Sequence, residues 1–80
     1  MNTNNIYLQD LLEHLLTAKE PESMNTILQD LLTPSELSEI SKRLQIIRLL
    51  KIGMPQRQIA ETLGVGIATV TRGSRALKDK

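Results

Sequence analysis

Residues 54–78 read Met54-Pro55-Gln56-Arg57-Gln58-Ile59-Ala60-Glu61-Thr62-Leu63-Gly64-Val65-Gly66-Ile67-Ala68-Thr69-Val70-Thr71-Arg72-Gly73-Ser74-Arg75-Ala76-Leu77-Lys78, and this stretch decides the fold. Pro55 can open a helix, and Ile59, Ala60 and Leu63 give that helix one apolar face. The helix must stop at Gly64-Val65-Gly66. Gly64 is suited to the left-handed conformation that ends one helix and turns into the next. A second helix is expected from Gly66 or Ile67 to about Lys78. Two short helices joined by a glycine-centred turn form a helix-turn-helix, here over 54–78. The spacing supports that reading, because Ala60 lies four residues before Gly64 and Val70 six after it. The crossing point needs a small residue on the first helix and a branched one facing it from the second. Ile59, Leu63 and Val65 would seal the hinge.

Upstream lies a long helix with the strongest start signal in the chain. Thr33 can cap the free N–H groups, Pro34 suits the first helical position, and Glu36 can reach back to complete a capping box. This helix should run to near Gly53. Leu37, Ile40, Leu44 and Ile47 form one stripe, and Ile46, Leu49 and Leu50 widen it past half the circumference. A helix apolar over so much surface must be covered from several sides, so we read it as the spine of the molecule.

Two further helices precede it. Over residues 6–18, Leu8, Leu11, Leu12, Leu15 and Leu16 follow the spacing of a single helical stripe. Lys19-Glu20-Pro21 ends that helix, because the residue before proline is pushed out of the α region. Residues 22–32 form a shorter one, with Met24, Ile27, Leu28 and Leu31 on one side. No strand-like alternation and no repeat is found. The fold class expected is therefore all-α, with about five helices and a C-terminal helix-turn-helix. Residues 1–80 are read as a single domain, with 1–53 supplying dimerisation and spine helices and 54–78 the reading head.

A chain of 80 residues is marginally stable alone. It has no cysteine and a single histidine, His14, so neither a disulfide nor a metal cluster can staple it. Oligomerisation is the remaining device, and a homodimer is expected. The polar start Met1-Asn2-Thr3-Asn4-Asn5 does not read as a signal peptide, and no apolar run approaches the length of a membrane span. A cytoplasmic protein is expected. We find no nucleophile–base pair, no grouped metal ligands and no phosphate loop. Catalytic residues, a metal site and a bound cofactor are accordingly expected to be absent, and His14 reads as a partly exposed side chain.

The formal net charge of +1 conceals a strong polarity. Residues 1–40 carry one base and seven acids, whereas residues 41–80 carry nine bases and two acids. A basic half containing a helix-turn-helix points to a polyanion, and double-stranded DNA fits best. In this motif the N-terminal part of the second helix enters the major groove. Gly66, Ile67, Ala68, Thr69 and Thr71 stand there: small side chains permit close approach, apolar ones can meet a thymine methyl, and threonine hydroxyls can bond bases or phosphates. Gln56 and Arg57 could reach phosphates or a guanine edge, while Arg75, Lys78 and Lys80 suit phosphates.

The run Gly66-Ile67-Ala68-Thr69-Val70-Thr71-Arg72-Gly73-Ser74 closely resembles the recognition helix of the tryptophan repressor family. The likeness extends to Gln56-Arg57, Leu63-Gly64, Leu32-Thr33-Pro34 and Arg43, and so covers residues 31–78. It implies an intertwined, all-helical homodimer that represses transcription from operator DNA, with L-tryptophan as corepressor. By matching positions, Arg43 and Arg72 would sandwich the indole, Arg72 would also serve the carboxylate, Leu32 and Thr33 would close the pocket, and Gly73 would leave room for the ligand. Two arginine planes can stack on an indole face.

The chain departs from the family pattern in three places. The family's closing helix is expected to be missing, because the sequence reaches Lys80 straight after the motif. One residue fewer separates Gly53 from Gln56, with Pro55 in place of a polar cap. Ala76 replaces a hydroxyl that lies near the ligand's amino group. A repressor of this fold that needs no ligand, or senses another small molecule, is therefore the alternative. A helical protein-interaction module is the alternative from a different class.

Overall fold

The computed structural model describes residues 3–78, so Lys80 and the first two residues of the polar start lie outside the described residues. Among the described residues there are five α-helices and no strand: α1 (Thr3–Leu15), α2 (Pro21–Leu31), α3 (Pro34–Lys51), α4 (Gln56–Leu63) and α5 (Ile67–Lys78). The chain is all-α, as the sequence predicts. No helix among the described residues is long and apolar enough to cross a membrane. Two compact units are distinguished, Met1–Leu37 and Ser38–Lys80.

In the first unit, α1 begins three residues before the expected position and ends three residues earlier, at Leu15. The physical reason for the early end is local. The Thr17 hydroxyl donates to the His14 carbonyl at 2.7 Å, and the Thr17 and Ala18 N–H groups make tight i→i−3 bonds to His14 and Leu15. These bonds satisfy the terminal carbonyls and stop propagation before Pro21 can act. Glu20 is extended (φ −134°, ψ 156°), as a residue before proline must be, and Pro21 opens α2. At Leu32 the backbone is extended again (φ −117°, ψ 146°), which closes α2. The predicted capping box then starts α3. The Thr33 N–H donates to Glu36 Oε1 at 2.8 Å, and the Glu36 N–H donates to Thr33 Oγ1 at 3.1 Å.

No residue of α1 or α2 is buried. Most of the leucine stripe of α1 is exposed in the single chain, with Leu8, Leu11 and Leu12 left 52%, 39% and 46% exposed, and Leu16 just past the helix is 80% exposed.

In the second unit, α3 ends in a glycine-dependent cap. Gly53 adopts φ +89°, its N–H donates to the Leu50 carbonyl, and the Met54 N–H donates to the Leu49 carbonyl. This paired arrangement is the Schellman motif, completed by Met54 and Leu49 joining the same apolar cluster. Pro55 takes the N-cap position of α4 (φ −60°, ψ 144°). Gly64 is left-handed (φ 67°, ψ 37°), and the Val65 N–H closes onto the Ala60 carbonyl at 3.0 Å. The core of this unit is Ile46 of α3, Ile59 of α4 and Val70 of α5, all fully buried, with Ala60, Leu63 and Val65 packed against them. Three helices thus meet at three branched side chains. The rest of the α3 stripe is less covered, and Ile40 and Leu44 remain 44% and 47% exposed.

Candidate functional site

The second unit contains a cavity of about 480 Å³, within the range of small-molecule sites. Arg43 of α3 and Arg72 of α5 both line it, as do Ile46 and Gly73. Two arginines 29 residues apart in sequence are brought to one cavity by the Ile46–Ile59–Val70 core, which holds α5 against α3. Both arginines are exposed at the surface, and neither is consumed in the core. Gly73 is buried, and its backbone lies directly against the Ile46 side chain. Its lack of a side chain therefore serves helix–helix approach as well as the shape of the cavity.

The faces of α5 divide the expected site residues. Thr69, Arg72, Gly73 and Ala76 share the i, i+3, i+4, i+7 spacing of one helical face, and all four line the cavity. Ile67, Ala68, Thr71, Arg75 and Lys78 fall on the other side of the helix by the same periodicity. Gly66 and Thr69, read from the sequence as groove residues, are therefore also cavity residues. Ile67, Ala68, Arg75 and Lys78 are exposed, as is Arg57 at the start of α4.

Gln56 and Thr71, expected on the same surface, are joined. The Thr71 hydroxyl lies 2.9 Å from Gln56 Oε1 and 3.0 Å from the Ile67 carbonyl, and both are acceptors for its single proton. Both residues are half-buried. The bond ties the first turn of α4 to the first turns of α5. Leu32 and Thr33 belong to the first unit, where Leu32 caps α2 and Thr33 caps α3.

Sequence reasoning missed two charged residues of the cavity wall, Glu39 and Lys42. Their spacing from Arg43 was the available signal, since positions four and one residue earlier on α3 flank the same arginine. Among the described residues no group of three or more His, Cys, Asp or Glu side chains could hold a metal ion.

The family model described as Trp repressor protein matches residues 7–80. The chain belongs to the Trp repressor family. A "Trp operon repressor homolog" of Vibrio vulnificus is 46% identical over 72 residues, covering 89% of this chain and 68% of that protein. The homologue of Vibrio parahaemolyticus is 41% identical over 73 residues, covering 90% and 71% of the two chains. That of Photobacterium profundum is 41% identical over 71 residues, covering 88% and 69%. Members of the Trp repressor family are transcriptional regulators, and this chain is a repressor of that kind and not an enzyme.

Proposed function

We propose that the chain is a cytoplasmic, sequence-specific repressor that binds double-stranded operator DNA as an intertwined homodimer and is switched on by L-tryptophan. The observation that carries this reading is the cavity beside α5, with both Arg43 and Arg72 among its lining residues. It lies on the face of α5 away from Ile67, Ala68 and Thr71, the residues available to a major groove. A ligand held there can act on the angle of the reading helix while leaving Ile67, Ala68 and Thr71 to the DNA.

The donor set fits an aromatic amino acid. Arg43 and Arg72 offer flat cations to an indole face, and Arg72 can also hold a carboxylate. Ile46 and Gly73 supply an apolar, close-fitting floor. When bound, tryptophan would favour the reading-head angle it fits best, by its differential affinity alone.

Dimerisation is supported by the uncovered apolar surface. Leu8, Leu11 and Leu12 of α1 and Ile40 and Leu44 of α3 are between 39% and 52% exposed in the single chain. So much exposed aliphatic surface is suited to burial against a second copy of the chain. In the dimer the two reading heads would present α5 to successive major grooves, about 34 Å apart on B-DNA. Gln56, Arg57, Gly66, Ile67, Ala68, Thr69 and Thr71 are proposed at the DNA, with Arg75 and Lys78 at phosphates.

The test is a titration of labelled operator-like duplex with and without saturating L-tryptophan. Tryptophan should tighten operator binding, and the duplex should tighten tryptophan binding by the same factor. The protein contains no tryptophan, so ligand fluorescence reports its occupancy directly. Unchanged operator affinity at saturation would leave a repressor of the same fold with another ligand or none.

A further inference from the structure

We infer that Glu39 makes the cavity select a zwitterionic amino acid over a simple aromatic anion. The inference rests on the reading of the cavity as an amino-acid site and adds a specificity determinant to it.

Lys42, Arg43 and Arg72 bring three cations to the cavity, and Glu39 is the one carboxylate among its lining residues. Three cations alone would favour any aromatic acid, with or without an amino group. An α-ammonium entering such a site would meet like charge and lose affinity relative to its desamino analogue. Glu39 reverses that preference by giving the ammonium an anion to face. The other small lining side chains cannot do so. Ala76 has no polar atom, Gly64, Gly66 and Gly73 have no side chain, and Ile46 and Val65 are aliphatic. Thr69 contributes a neutral hydroxyl only.

The placement of Glu39 serves this role. It stands on α3 one helical turn before Arg43, so both project from the same helix face. Glu39, Arg43 and Arg72 line one cavity, so a ligand there can face an anion and two cations at once. The competing role for Glu39 is a plain helix-surface pair with Arg43, four residues on, in the favourable Glu-before-base order. That role would act on any ligand alike.

Binding of L-tryptophan and of indole-3-propionate, which lacks the ammonium, separates the two roles. Each is titrated into the full chain, wild type and Glu39→Gln, without DNA. Wild type should prefer L-tryptophan. Glu39→Gln should lower that preference by up to about fivefold, the scale of a solvent-screened charge pair. The fall should come from weaker tryptophan binding, with indole-3-propionate binding unchanged or tighter. Glutamine keeps the helix propensity and length of Glu39, and far-UV circular dichroism checks that the variant is folded. If both affinities move by the same factor, or neither moves, Glu39 is a helix-surface residue and the inference fails. If wild type prefers indole-3-propionate, the inference fails while an aromatic-acid site stands. If wild type binds neither compound, the tryptophan reading falls and this inference with it.

Discussion

A β-carbon placed on Gly73 of α5 would stand 2.8 Å from the Ile46 Cγ2 on α3, closer than real side-chain carbons approach. Ile46 is 1% exposed and packed in the core with Ile59 and Val70, so it can give way only by disturbing that packing. The reading helix is thus held at a backbone-to-side-chain contact, at the edge of the cavity proposed to bind the effector. Gly73→Ala should therefore destabilise the protein, although alanine is favoured over glycine in helices by about 1 kcal/mol. Overpacking costs about 1–3 kcal/mol, so a net loss of about 1 kcal/mol is expected, or roughly 4–8 °C in a domain this small. Ile46→Leu removes the offending methyl branch, and combined with Gly73→Ala it should recover part of the loss. Thermal melts of the two single variants and the double variant measure that coupling.

The homodimer reading predicts a concentration-dependent melt. Dilution should lower the melting temperature by mass action, and sedimentation should give twice the monomer mass. Leu12→Glu, on the exposed stripe of α1, should weaken the dimer. A concentration-independent melt with a monomer mass is the outcome that excludes it.

For DNA binding, the Thr71–Gln56 hydrogen bond changes what single substitutions report. Thr71→Ala should reduce discrimination between operator and random duplex, and part of that loss should come from releasing Gln56. The Thr71→Ala and Gln56→Ala effects should then be less than additive in a double-mutant cycle. Lys78→Ala should weaken specific and random binding about equally and flatten the salt dependence. Fully additive losses would mean that the two residues act separately at the DNA.

Arg43→Ala removes one side of the proposed indole site from a position off the groove-facing side of α5. It should abolish the response to L-tryptophan while leaving weak, salt-sensitive DNA binding. Operator titrations at two salt concentrations, with and without tryptophan, check both halves of the expectation. A retained response would displace the ligand from Arg43.

The capping box at the start of α3 gives a purely structural prediction. Thr33→Ala should cost about 1 kcal/mol through loss of the cap, and Thr33→Ser should cost much less. Denaturant unfolding of the two variants measures the difference.

What the sequence by itself determined is local. The Thr33–Glu36 cap, the left-handed Gly64 and the bounds of α3, α4 and α5 all depend on groups within about five residues of one another, so their chemistry is visible in the order of residues. The end of α1 was the local exception. The sequence points to Pro21 as the stop, yet the Thr17 hydroxyl closes the helix earlier on the His14 carbonyl. The tertiary structure alone decided the relations across helices. It turned Thr69 toward the cavity, set the Gly73 backbone against Ile46, bonded Thr71 to Gln56 across 15 positions, and brought Glu39 and Lys42 into the wall shared by Arg43 and Arg72. The reason is physical. Helical periodicity says which residues share a face, but which neighbour that face meets depends on how α3, α4 and α5 pack around Ile46, Ile59 and Val70, and that packing is a property of the three helices together.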